Sequence, residues 1–271
     1  MDQKASVTRV SLIPAQRHAQ ILQVLRADRA ASVQRLAGRI GASVSTIRRD
    51  LEALEQSGLL ERSFGGASLR PHALATLETG QAVAQHIATS EKEAIARLAV
   101  TLIEPHQAVL LDSGSTVVEV AREIARGTLP LTVITNDLTV GQILSEVPRI
   151  RLLVTGGTVR PGSSTLLGPP GEDLLATIRA DIAFVGAHAV TDTGLSETSL
   201  DVVRIKQAIM RASRRSVIVA DHSKFGEPSV FHAGAWRAGT VLVTDDRVEP
   251  HHLAPLREAG VEVLIAPVEA S

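Results

Sequence analysis

The sequence predicts a two-part chain of α/β class: a small head of three helices and a strand hairpin, then a larger domain built on a mainly parallel sheet. Near the front, short segments with helical spacing of apolar residues follow one another closely and lead into two strand-like runs around a Gly-Gly turn. From Ala108 onward, seven short runs rich in Val, Ile and Leu recur with helical stretches between several of them. Their continuous hydrophobicity means strands buried on both faces. Charge divides the chain at the same place. Residues 1–70 hold 11 Lys or Arg against 6 Asp or Glu, whereas the whole chain has a net charge of −1, so the remainder is acidic. A basic head on an acidic body implies that the head meets a polyanion and the body does not.

The first 14 residues are polar and uneven, without the apolar core of a signal peptide, and no apolar run reaches membrane-spanning length. A cytoplasmic place is expected, with no membrane partner. There are no cysteines, which excludes disulfides and thiolate sites. Residues 15–27 read as a helix with Ile21, Leu22, Val24 and Leu25 as its core face. Ser32 caps a short helix, VQRLAGRI, with Val33, Leu36, Ala37 and Ile40 inward, and Gly41 ends it. Only Ala42 separates that stop from the next cap, Ser43. The helix from there to Gly58 places Val44, Ile47, Leu51 and Leu54 on one stripe and leaves Ser45, Thr46, Arg48, Arg49 and Glu52 on the other side.

Two helices joined by so short a turn, the second carrying exposed arginines, form a helix-turn-helix, and four helical turns suit a DNA major groove. Residues 59–63 read as a strand, Phe64-Gly65-Gly66 as a turn and 67–70 as the return strand. The head is therefore a winged helix-turn-helix. Its expected contacts to double-stranded DNA are Ser32, Ser43, Ser45, Thr46, Arg48 and Arg49, with Arg62 on phosphate. Aromatic content of 2% with no Tyr argues against stacking on single strands. One chain offers one reading helix, and specific sites usually hold two half-sites, so a homodimer or homotetramer is expected.

Residues 71–90 read as a linker that becomes helical near 81–87, and 91–271 as the second domain. Ser90, Glu91 and Glu93 open a helix with Ile95, Leu98, Ala99, Leu102 and Ile103 inward, ended by Pro105. The strands are AVLLD, LTVIT, IRLLVTG, IAFVGA, SVIVAD, TVLVTD and VEVLIA. Ligands of such sheets bind beyond the carboxyl ends of the strands, so the polar residues there are the candidate site.

After the first strand, Asp112 leads into Ser113, Gly114, Ser115 and Thr116. This small-residue turn opens a helix whose free N–H groups would hold a phosphate. It lacks the G-K-[ST] of a nucleotide P-loop, so ATP is not implied. After the later strands come Asn136 and Asp137, then Gly157, Thr158, Val159 and Arg160, then Ala187 and His188, and finally His222, Ser223 and Lys224. Of 28 basic residues only Lys4, Lys92, Lys206 and Lys224 are lysines, which singles out Lys206 and Lys224 as site candidates. His251 and His252 are adjacent, without metal-ligand spacing, and no metal or cofactor is expected.

The head, with S-x-x-T-I-R-R-D-L at 43–51, G-L-L-x-R at 58–62 and G-G-A at 65–67, resembles the DNA-binding domain of the DeoR family of bacterial transcriptional regulators. LLDSGST, VITND, GGTVR, DIAFVGA, GLS, the Lys206 helix and ADHSKFG, across roughly 90–266, resemble the sensor domain of that family. The resemblance implies a sensor related in fold to ribose phosphate isomerase and glucosamine phosphate deaminase, binding a phosphorylated sugar or related metabolite that controls DNA binding. It implies a repressor of a sugar or polyol operon. The effector contacts it implies are Asp112 to Thr116, Thr135 to Asp137, Gly156, Gly157, Arg160, Gly186, Lys206 and Lys224.

Three positions depart from the family pattern. Phe64 stands where His is usual, His188 where Gly is more common, and Val202 where many members have Glu, with Asp201 beside it as a substitute. The alternative is a sugar-phosphate isomerase or deaminase carrying a DNA-binding head. It would need a carboxylate or His to move a proton, with Asp112, Asp137, Asp181 and Asp201 as candidates. A winged helix has no use in an isomerase. Lys206 and Lys224 are expected to bind without catalytic duty, because Val202, four residues before Lys206, can exchange no proton.

Overall fold

Both expected caps close on their own helices in the computed structural model, which describes residues 12–69 and 81–269. Ser32 Oγ accepts from the Arg35 N–H at 3.2 Å and Ser43 Oγ from the Thr46 N–H at 3.1 Å. Contacts divide the chain into two units, Met1–Ile87 and Ala88–Ser271. Most of the expected polar start of the chain and half of the expected linker, 71–80, lie outside the described residues.

The first unit contains α1 (Pro14–Asp28), β1 (Ala30–Ser32), α2 (Val33–Ile40), α3 (Val44–Gln56), β2 (Leu60–Ser63), β3 (Gly66–Leu69) and α4 (Gln81–Ala84). Its core gathers Ile21, Leu22 and Leu25 of α1, Leu36 of α2, and Ile47, Leu51 and Leu54 of α3, closed by Leu59 and Leu60. Gly41 ends α2 at φ +73°, a backbone that a side chain would strain.

Three details differ from the sequence reading. Val44, placed on the apolar stripe, is 37% exposed, because it occupies the first turn of α3, beyond the reach of the core. Gly66 belongs to the return strand, leaving Phe64 and Gly65 as the turn. The hairpin also gains β1 as a third strand, in the order β1-β3-β2. A Cβ at Gly66 would meet the Ala31 carbonyl oxygen at 2.6 Å, so only Gly lets these strands pair.

Among the described residues of this unit, one charged side chain is buried. Asp50, on the inner face of α3, accepts from Arg17 Nε at 2.7 Å and Arg17 Nη2 at 2.9 Å, and His18 Nε2 lies 3.2 Å away. The paired guanidinium hydrogen bonds tie α1 to α3.

The second unit runs α5 (Thr89–Val100), β4 (Ala108–Leu111), α6 (Ser115–Arg126), β5 (Leu131–Thr135), α7 (Leu138–Ser145), β6 (Ile150–Val154), β7 (Thr158–Val159), β8 (Leu166–Leu167), α8 (Gly171–Thr177) and β9 (Ala180–Gly186). It continues with β10 (Ala189–Thr191), β11 (Gly194–Glu197), α9 (Leu200–Arg211), β12 (Ser213–Val219), β13 (Phe231–Ala235), β14 (Val241–Asp245), α10 (Pro250–Glu258) and β15 (Glu262–Ala266). All seven apolar runs became strands of one sheet, ordered β15-β14-β12-β9-β4-β5-β6, and every neighbouring pair is parallel.

One apolar cluster packs α5, α6 and α7 on one face of this sheet, and a second packs α9 and α10 on the other. The helix α5 ends at Val100, five residues before Pro105. From β4 the chain builds outward through β5 and β6, then returns to the other side of β4 with β9. That reversal makes the carboxyl ends of β4 and β9 a switch point, where α/β sheets bind ligands. The three-stranded antiparallel sheet β10-β11-β13 and the β7–β8 hairpin were not foreseen. No helix among the described residues is long and apolar enough to cross a membrane.

Candidate functional site

On α3, Ser45, Arg48, Arg49 and Glu52 are exposed on one face, while Thr46 is half-buried. The Ser43 hydroxyl lies 2.9 Å from that of Ser45 and 2.8 Å from that of Thr46, so these three hydroxyls form one cap cluster at the helix start. Ser32 is likewise a cap. Arg62 is exposed on β2. The arginines of α2 are held differently, since Arg35 and Arg39 reach Asp28 at 2.9 and 3.0 Å. Among the described residues of the helix pair, the cationic face without an ion-pair partner is that of Arg48 and Arg49.

At the switch point of the second unit, a buried ammonium holds three elements together. Lys206 Nζ, from α9, donates to Asp112 Oδ2 at 2.5 Å and to the Gly186 carbonyl at 2.8 Å, and lies 3.4 Å from Glu197 Oε1. Asp112, just past β4, is fully buried and also accepts the Gly186 N–H at 3.2 Å. Glu197, at the end of β11, accepts the His188 N–H at 3.1 Å. Burial alone would lower the Lys206 ammonium, but Asp112 and Glu197 more than offset it and hold it above its ordinary value. A Cβ on Gly186 would sit 3.1 Å from the Ser113 carbonyl oxygen and 3.9 Å from Lys206 Nζ, so this residue lets strand end, loop and ammonium converge.

This geometry corrects the reasoning about Val202. Val202 is buried and apolar, yet Lys206 has two carboxylate partners from distant parts of the chain. Asp201 is no substitute, because it points outward and lies 3.8 Å from Arg204. Glu197 was missed because a lone Glu at the end of a short strand carries no local signal.

Beside the triad, Ser113 and Thr116 are buried, Gly114 and Ser115 are half-buried, and α6 starts at Ser115 from a Gly114 at φ +118°. The first N–H groups of a helix have no acceptor within it. Several predicted contacts turn out to build the loops around this helix start. Asp137 caps α7, accepting from the Thr139 and Val140 N–H groups at 2.7 and 3.1 Å, and Thr135 Oγ1 accepts the Asp137 N–H. Burial pushes the Asp137 carboxyl up, against the pull of those two N–H groups. Asn136 Nδ2 donates to the Leu166 carbonyl at 3.3 Å and so anchors β8. Gly156 and Gly157 adopt φ +79° and +122°, and a Cβ on Gly157 would meet the Leu167 carbonyl oxygen at 2.6 Å. Arg160 Nη2 donates to Thr198 Oγ1 at 3.4 Å, next to Glu197. Among the described residues, four buried side-chain oxygens have no hydrogen-bond partner: Asp112 Oδ1 and Asn136 Oδ1 beside this helix start, and Asp221 Oδ2 and Thr244 Oγ1 further along the sheet.

Lys224 sits one strand further along, in a short 3-10 turn, His222–Lys224, capped by Asp221. Burial alone would raise the Asp221 carboxyl, but Lys224 and the buried Lys92 lead the effects that hold it below the usual range. His222 Nδ1 lies 2.9 Å from Asp245 Oδ1, a contact that raises the imidazole above its ordinary value.

Residues 17–71 match the DeoR-like helix-turn-helix domain, and residues 87–246 match the DeoR C terminal sensor domain. The HTH-type transcriptional regulator GolR of Listeria innocua is 32% identical over 256 residues, 94% of this chain and 100% of its own. The glycerol-3-phosphate regulon repressor of Escherichia coli K12 is 30% identical over 231 residues, 85% of this chain and 90% of its own. Among solved structures, ribose 5-phosphate isomerase A of Methanocaldococcus jannaschii aligns with a TM-score of 0.40 at 20% identity, covering 51% of this chain and 55% of its own.

Proposed function

The chain belongs to the DeoR family of transcriptional regulators, and from that premise we propose that it represses an operon for sugar or polyol use and is released from its DNA operator by a phosphorylated sugar-type effector. The observation that carries the effector reading is the pairing, at one switch point, of an open helix start with buried acceptors that lack donors. The N–H groups and dipole of α6 suit a phosphate. Asp112 Oδ1 and Asn136 Oδ1 suit the hydroxyl groups of a polyol, which would supply the hydrogen bonds those oxygens lack. In this reading Ser113 to Thr116 take the phosphate, while Lys206, Arg160 and Gly186 hold the walls. Thr135, Asp137, Gly156 and Gly157 shape the loops, and Lys224 borders the site. One of the relatives carries glycerol-3-phosphate in its name, which supports the phosphorylated class.

The same geometry argues against the isomerase reading. Proton transfer is efficient when the acid or base titrates near the working pH. An ammonium held above its ordinary value by two carboxylates stays charged, so Lys206 binds and organises and does not shuttle protons. The DNA-binding head supports the same side, since it has no use in turning over a sugar phosphate.

On DNA, α3 enters the major groove with Ser45, Thr46, Arg48 and Arg49 at the bases, Ser32 and Ser43 position the two helix starts, and Arg62 contacts phosphate. Two chains, as a dimer or within a tetramer, supply the two reading helices of a two-part operator. Arg48→Ala or Arg49→Ala is expected to cost about 1 to 3 kcal/mol of specific binding where the guanidinium reads a guanine edge. Arg62→Ala is expected to weaken all duplexes alike. Footprinting of wild type and variants checks this, and unchanged protection after removal of both arginines from α3 would refute the assignment.

A further inference from the structure

Phe64 stands at the tip of the β2–β3 hairpin with a relative exposure of 114%, the highest of any large hydrophobic side chain among the described residues. The sequence has four Phe, one Trp and no Tyr, so one of its five large aromatic rings is held away from any core. The hairpin that carries it is braced on two sides. β3 pairs with both β1 and β2, and the Gly65 carbonyl accepts the Val33 N–H at 2.9 Å, which fastens the turn to the start of α2. Gly65 turns the chain at φ +88°. Arg62 is exposed two residues away on the same hairpin, and the exposed arginines of α3 belong to the same unit. The ring therefore projects to solvent from the same helix-turn-helix unit that carries α3.

We propose that Phe64 is a wedge that enters the minor groove beside the bases read by α3, partly unstacks one base step and bends the operator. Apolar side chains inserted between base steps from the minor groove kink a duplex toward the major groove. A neutral ring adds no charge to the interface, so its contribution is independent of salt. It selects through deformability: TA and CA/TG steps open most readily, so the position facing Phe64 favours them although no hydrogen bond reads it.

The test uses the full-length protein and a duplex selected from a random-sequence pool by the wild type, with Phe64→Ala, Phe64→Leu and Arg62→Ala as variants. Phe64 touches no core, so its variants keep the wild-type circular dichroism. Phe64→Ala is expected to lose roughly ten- to hundredfold in affinity, the range of ring–base stacking. The slope of log affinity against log salt should stay unchanged, with a smaller bend by circular permutation and a lost preference for the flexible step. Phe64→Leu retains part of the bend, while Arg62→Ala lowers the salt slope by about 1. Equal bend and equal step preference in wild type and Phe64→Ala would overturn the proposal. So would a Phe64→Ala protein whose bend is intact but whose self-association in sedimentation is lost, which would make the ring a protein contact.

Discussion

Lys206→Met is expected to cost the second unit about 3 to 5 kcal/mol, the range for removing one partner of a buried ion pair. Lys206 is 4% exposed, and its ammonium pairs with two carboxylates, Asp112 and Glu197, that are themselves buried. Without it, both carboxylates must bind protons or draw in water, and the Gly186 carbonyl loses a donor. The single tryptophan lies in this unit, its Nε1 donating to the Thr191 carbonyl at 2.8 Å, so urea titration followed by Trp236 fluorescence reads the loss directly. Adding Asp112→Asn and Glu197→Gln should recover part of it, because uncompensated charge dominates the penalty. A midpoint for Lys206→Met equal to wild type would mean that the triad is not closed in solution.

Asp50→Ala is expected to have a comparable effect on the head, again about 3 to 5 kcal/mol. The carboxylate receives two hydrogen bonds from Arg17 and sits against His18, so its loss leaves the part-buried guanidinium with only the Leu12 carbonyl as acceptor and unties α1 from α3. A unit of this size has little stability to lose. Specific DNA binding should disappear at temperatures where the second unit remains folded. The head contains no tryptophan, so circular dichroism shows a low-temperature transition while Trp236 fluorescence does not move until the later one. Asp50→Asn, which keeps one acceptor for Arg17, should fall between wild type and Asp50→Ala. A single unshifted transition in Asp50→Ala would show that the clamp contributes little.

Local chemistry made much of this fold legible. Ser32, Gly41 and Ser43 punctuate the helices through hydrogen bonds within four residues, and strands buried on both faces write themselves as unbroken apolar runs. β1 was hidden because Ala30-Ala31-Ser32 has neither length nor alternation, and it is a strand only because Gly66 admits it. Val44 followed the apolar spacing of its helix, but a first-turn residue can lie beyond the core.

The site was legible in position and less so in role. A strand end pointed to Asp112, the scarcity of lysine to Lys206 and the family resemblance to Gly186, and the three meet at one buried ion pair. Asp112 and Lys206 are 94 residues apart, and Glu197 joins them through a small antiparallel sheet that no periodicity announces. Asp137, Thr135 and Gly157 were read as ligand contacts, whereas their hydrogen bonds and backbone angles fit the construction of turns. Polar residues at strand ends serve both purposes, and only the partner atoms tell them apart.

Control of DNA binding by the proposed effector requires a sensor that recognises phosphate together with hydroxyl groups. Its most direct test is the affinity of the wild-type protein for its selected duplex, followed by anisotropy while the phosphorylated and free forms of the same sugars and polyols are titrated in. At least one phosphorylated compound is expected to weaken DNA binding by about 5- to 150-fold, the usual span of coupling between two sites, while its free form has no effect. Release of the duplex by the free form to the same extent as by the phosphorylated one would contradict the account.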